Sequence, residues 1–182
     1  MTIKITFELS DADLDYFRGV FKKAKANAKK HDEATILHLA RKQAREMGSR
    51  KLPDFVNERI HALDALTRML EDDEWNLGGP HRQRVQQALA YFAEPADLIP
   101  DTIPGLGFLD DAIMVELVVQ ELRPEIDAFE EFCRYRDEQR AEKVDVDVLR
   151  KRLETRRRAA YARIDRRREQ RDRRGGFFSI FR

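Results

Sequence analysis

Apolar residues recur at two different periods along this chain. Over residues 3–9, "IKITFEL", Ile3, Ile5, Phe7 and Leu9 alternate with polar neighbours. Period two predicts a short N-terminal strand. From Ser10 the period lengthens to that of a helix. Ser10 and Asp13 stand at capping-box spacing, and Leu14, Phe17, Phe21, Ala24 and Ala28 follow on one side. Leu37, Ala40, Ala44 and Met47 predict a second helix from about Glu33, stopped by Gly48. A third starts near Pro53 and carries Val56, Ile60, Leu63, Leu66 and Leu70, before "DDEWNLGGP" breaks it. A fourth spans roughly His81 to Ala93, with Val85, Leu89 and Phe92 inward.

"LDDAIMVELVVQEL" reads as a helix apolar almost all round, interrupted by Glu116, Gln120 and Glu121. Such a helix sits centrally in a bundle. Pro124 either kinks it or opens a further helix carrying Ile126, Phe129 and Cys133. The last helix starts near Asp145 along a seam of Val146, Leu149, Leu153, Ala160 and Ile164. There the seam stops: "DRRREQRDRR" (165–174) holds no apolar residue. The expectation is that this segment projects into solvent or is partly disordered. The fold class expected is mainly α: a bundle-like domain over 1–144, with a short N-terminal β-strand, and an Arg-rich helical extension with an aromatic tail over 145–182.

The strand needs a partner, because an isolated strand is unstable. It can pair with Phe177–Phe181, pair with its copy across a homodimer, or lie as an extended arm on the helices.

Between the fourth and fifth helices the pattern is punctuated. "PADLIPDTIPGLGFLDDA" (95–112) holds three of the chain's six prolines. Residues before proline are pushed toward extended geometry, and Pro104-Gly105 is a turn signal. Asp110 or Asp111 can cap the helix that follows. On this account the stretch is a helix–turn–helix corner that plugs the core with Leu98, Ile99, Ile103, Leu106 and Phe108. A sharper alternative makes Asp97, Asp101, Asp110 and Asp111 hard oxygen ligands for Mg²⁺ or Ca²⁺, in a metal-dependent enzyme or ligand-binding domain. The spacing is not that of an EF-hand, and the architectural account ranks first, with no cofactor.

The run "ALAYFAEPADLIPDTIPGLGFLDDAIMVELVVQEL" (88–122) resembles the YkvA-type family of unknown function. Asp97, Leu98, Ile99, Pro100, Asp101, Ile103, Pro104, Gly107, Asp110 and Asp111 carry the resemblance. It implies two apolar helices joined by a proline-punctuated turn, in a family without an established activity. Many of its members look like small membrane proteins. Glu94, Glu116 and Glu121 break the apolar runs here.

Composition sharpens this picture at the C-terminus. The chain has 182 residues, 38% of them charged, and a net charge of +1. Residues 152–182 hold 12 arginines, no lysine and 4 acidic residues, leaving 23 basic and 30 acidic groups in residues 1–151. Charge segregated in this way suggests an interacting tail. Arg163, Arg166, Arg167, Arg168, Arg171, Arg173 and Arg174 are the candidate anion-binding groups, since guanidinium suits phosphate and carboxylate. Phe177, Phe178, Ile180 and Phe181 are candidate membrane or partner contacts. Three targets fit: an anionic membrane surface, an acidic protein partner including a second copy, and nucleic acid. The last ranks behind, because the acidic body repels a polyanion and no base-reading motif is present.

No apolar stretch reaches the ~18 residues of a transmembrane helix. The N-terminus lacks a signal-peptide layout, so a cytoplasmic protein is expected, docking peripherally on the inner face of the membrane if it docks there. The single Cys133 rules out an intrachain disulfide and reads as a small core hydrophobe. His31, His38, His61 and His81 form no zinc motif, and His31 and His61 fall on polar faces. There is no phosphate-binding glycine loop and no nucleophile elbow. The leading expectation is a non-enzymatic interaction protein.

Overall fold

The computed structural model describes residues 8, 10–28, 32–48, 54–91 and 109–173. Six helices make up the described fold: α1 (Asp11–Ala28), α2 (Glu33–Gly48), α3 (Asp54–Glu71), α4 (Gly79–Tyr91), α5 (Leu109–Ala141) and α6 (Val146–Arg173). The mainly α class holds. Among the described residues there is no strand, and the expected strand at 3–9 lies outside them except for Glu8.

α4 touches α1, α2, α3 and α5, while α3 and α6 each pack on α5. Leu63, Leu66 and Met69 of α3 meet Val85, Ala88 and Leu89 of α4, and Met114, Val118, Leu122, Phe129 and Phe132 of α5, in one buried core. Burying each of the larger of these side chains contributes ~1.5–3 kcal/mol, an upper estimate because the unfolded chain already hides some surface.

The caps are local. At α1, Ser10 Oγ accepts from the Asp13 amide (3.3 Å) and Asp13 Oδ2 accepts from the Ser10 amide (2.9 Å). That is the reciprocal box the sequence implied. α5 runs through Pro124 as one 33-residue helix. The alternative in which Pro124 opens a further helix gives way to packing: Leu122, Glu125 and Ile126 are buried beside the proline. α5 ends at a turn in which Lys143 takes φ 53°. The Lys143 amide donates to Arg140 O (3.1 Å) and the Val144 amide to Gln139 O (3.5 Å), the paired bonds of a left-handed helix stop. Asp145 then caps α6, accepting from the amides of Asp147 (3.0 Å) and Val148 (3.2 Å).

This turn folds α6 back along α5. Residues 165–173 therefore do not project into solvent as expected; they continue α6 against α5. An apolar seam is missing there, but an ionic one takes its place, as the next section describes.

The segment 72–78 is also more than a break between helices. Trp75 is fully buried, with its ring 5.7 Å from Phe129, 5.1 Å from Phe132 and 4.9 Å from Tyr161. Tyr161 Oη donates to Trp75 O (2.7 Å), tying α6 to this loop. Asp72 Oδ1 accepts from the amides of Glu74 (3.0 Å) and Trp75 (2.8 Å). Its other oxygen accepts from Arg136 (2.6 Å), and Arg82 donates to Leu70 O and Leu77 O (both 3.0 Å).

Candidate functional site

α5 and α6 run antiparallel, so each step back along α6 meets a step forward along α5. Arg156 and Arg163 pair with Glu131. Arg167 approaches Asp127 (3.8 Å). Beyond Ile164 the partners are two enclosed carboxylates, Glu121 and Glu125, only 3% and 0% exposed. Arg168 donates to Glu125 through Nε (2.8 Å) and Nη2 (2.8 Å), and to Glu121 Oε1 (3.3 Å) and its backbone O (3.2 Å). Arg171 donates to Glu121 Oε1 (2.5 Å).

α4 closes the cluster from the other side. Arg84 donates to Glu125 Oε1 (3.2 Å), and its Nη2 lies 2.6 Å from His81 Nδ1. Nδ1 also lies 3.6 Å from Glu125 Oε1. Nε2 faces Asp165 Oδ1 at 3.3 Å, while the ring stacks on Tyr161 at 5.2 Å. Around the imidazole, Arg84, Arg168 and Arg171 face Glu121, Glu125 and Asp165.

Burial raises the Glu125 pKa. The neighbouring His81, the hydrogen bonds and charge of Arg168, and the charge of Arg84 overcome it and hold the carboxyl at about 2. Arg84 is pushed down by burial and by Arg168, and its pairing with Glu125 only partly offsets this. Arg168 ends above its usual range: burial lowers it, but Glu125 and Glu121 outweigh that. The two enclosed carboxylates, Glu121 and Glu125, are each matched and hydrogen-bonded. The cluster is therefore a clamp between helices and offers no vacant ligand position.

The anion-binding candidates thus divide. Arg163, Arg168 and Arg171 are engaged by carboxylates of the same chain, and Arg167 lies near one. Arg166 and Arg173 are exposed on the outer face of α6. Arg174, Phe177, Phe178, Ile180 and Phe181 lie outside the described residues, as do His31 and Asp97, Pro100, Asp101, Pro104 and Gly107 of the punctuated motif. Asp110 and Asp111 fall inside the first turn of α5, which begins at Leu109. No group of three or more potential metal-ligating side chains occurs among the described residues.

His61 is exposed, as its polar face implied. Cys133 is half-buried beside the core, and burial pushes its thiol up. Sequence reasoning missed the clamp. Its signal was present: Glu121 and Glu125 stand four apart in an apolar run, and Arg168 and Arg171 stand three apart where the α6 seam ends.

The outer face of α6 is the remaining chemical feature. Asp147, Lys151, Arg158, Arg166, Glu169 and Arg173 recur along it near helical spacing, and all are exposed. Arg158 pairs within the helix with Glu154.

Comparison with known proteins places the punctuated segment. No solved structure matches this chain. The sequence pattern of a family described as "Protein of unknown function (DUF1232)" matches residues 87–117, from the end of α4 into α5. The "Uncharacterized membrane protein YkvA" of Bacillus subtilis (strain 168) is 33% identical over 79 residues, covering 40% of this chain and 73% of that protein. With that coverage and the motif at 87–117, the chain belongs to the YkvA-like family of proteins of unknown function.

Proposed function

We propose that the protein is a non-enzymatic helical interaction module that docks on a carboxylate-bearing protein face through the outer face of α6. The charge order along that face carries the reading. Lys151, Arg158, Arg166 and Arg173 are basic, but Asp147 and Glu169 stand in line with them. A uniformly anionic lipid surface gains ~1 kcal/mol from each basic group and repels both acids. The net for this face is then only about 2 kcal/mol. A protein face of mixed sign can match every position. Three arginines that would strengthen a lipid anchor are already paired with Glu131, Glu125 and Glu121.

The test uses the full chain immobilised beside the variant Arg158→Glu, Arg166→Glu, Arg173→Glu. Proteins retained by the wild type are expected to be lost from the variant. A helical circular-dichroism spectrum should confirm that both are folded.

A second reading, peripheral docking on the inner face of an anionic membrane, has its own support. The Bacillus relative is described as a membrane protein. In the sequence, Arg174 and the apolar Phe177, Phe178, Ile180 and Phe181 follow directly on α6. Among the described residues no helix is long and apolar enough to cross a membrane, so docking is the form this reading takes. Vesicles containing phosphatidylserine separate the two. Pelleting at physiological ionic strength that disappears in the triple variant would replace the protein partner with a lipid one.

A further inference from the structure

Resting on that reading, we propose that the carboxylate-bearing partner is a second copy of this chain, its α6 packed antiparallel on the first. α6 has 28 residues, a rod of about 42 Å. A second α6 laid against it in the reverse direction, with the partner's Arg173 opposite Asp147, brings further opposite charges together. The partner's Glu169 meets Lys151, and the partner's Arg166 meets Glu154. Two-fold symmetry repeats each pair in the other direction. Near the axis Arg158 faces the partner's Ala162, and the exposed Ala159 and Ala162 leave room for close approach.

Direction follows from the same residues. A parallel pair would set Arg158, Arg166 and Arg173 against themselves. The antiparallel pair sets no basic residue of this face against another. The contact is isologous, so it closes at two copies rather than growing into a filament. One helix face per copy is a small interface, and its charges are exposed. The dimer is therefore weak and salt-sensitive.

A charge-swap experiment on the full chain tests this. One variant carries Arg166→Glu and Arg173→Glu, the other Asp147→Lys and Glu154→Lys. Light scattering after size exclusion, at about 100 µM protein and low salt, should find the wild type dimeric. It should be monomeric at about 0.5 M salt. Each variant alone should be monomeric, because its pairs become like-charged. Their equimolar mixture should form a heterodimer, since both sets of contacts are then opposite in sign.

Circular dichroism checks the fold of each variant. If either is unfolded, the wild-type salt series decides. A wild type monomeric throughout, dimers that persist in salt or in both variants, or species larger than two would overturn the proposal. A monomeric wild type whose outer face still retains other proteins sinks self-association alone. Loss of both sinks the interaction module with it.

Discussion

Glu125 is fully enclosed and still ionised. Burial would neutralise it, but the donors around it favour the charged form more strongly, and its pKa settles at about 2 against 4.5 for a free side chain. A depressed carboxyl contributes stability that is full above about pH 4.5 and disappears as pH falls toward 2, on the order of 3 kcal/mol. Glu125→Gln should cost about 3–5 kcal/mol in urea unfolding at neutral pH, because it leaves Arg84 without a counter-charge and Arg168 with Glu121 alone. The gap between wild type and variant should narrow in acid. A Glu125→Leu, Arg84→Met, Arg168→Met triple variant should cost less than Glu125→Leu alone, since Glu121 keeps Arg171 and no charge of the cluster is then left without a partner.

Tyr161 titrates at the other end of the scale. Burial pushes its hydroxyl up to about 12; Arg157 and Arg82 oppose that, and Asp72 adds to it. A raised phenol contributes stability that is present below about pH 10 and is lost as pH rises through 12. Ultraviolet titration should show one phenol ionising only as pH approaches 12, and a Tyr161→Phe variant should lose that late step.

Single helices pose different questions. α6 beyond Ile164 has no hydrophobic reason to stay on the protein, and Arg168 and Arg171 are what hold it. Ending the chain after Ile164 should therefore lower the melting temperature of the whole domain, because Glu121 loses both its arginines and Glu125 loses Arg168. A merely appended tail would leave the melting temperature unchanged. At the α5–α6 turn, Lys143 occupies a left-handed conformation that glycine adopts without penalty. Lys143→Gly should stabilise the protein by about 0.5–1 kcal/mol in denaturant unfolding.

At the scale of the molecule, the charge segregated along the chain is largely cancelled by folding. Basic α6 lies on Glu121, Glu125 and Glu131 of α5, and among the described residues what α6 presents to solvent is a face of mixed sign. That cancellation moves the functional reading from a lipid or nucleic-acid anchor toward a protein face. Arg136 links Asp72 and Glu74 of the 72–78 loop to α5 (2.6 and 2.9 Å), while Arg140 adds a bond to Glu74 (3.0 Å). α3, the loop, α5 and α6 should consequently unfold as one unit. Amide exchange in Leu66, Trp75, Phe129 and Ala160 should share one protection free energy; separate values would show that α6 opens alone.

What the chain alone determined is local. Helical period, the Ser10–Asp13 cap, the Asp145 start of α6 and the family motif at 88–122 depend on residues a few positions apart, and each is readable in order. What only tertiary structure decided is which distant charges meet. No spacing reveals that Arg168 will lie on Glu125, 43 positions away, or that Trp75 of an apparent helix break will seat against Phe129, Phe132 and Tyr161. A polar run reads as solvent-exposed because water is its default partner. It becomes an interior seam once a second helix supplies buried carboxylates, with bonds strong enough to offset the loss of water.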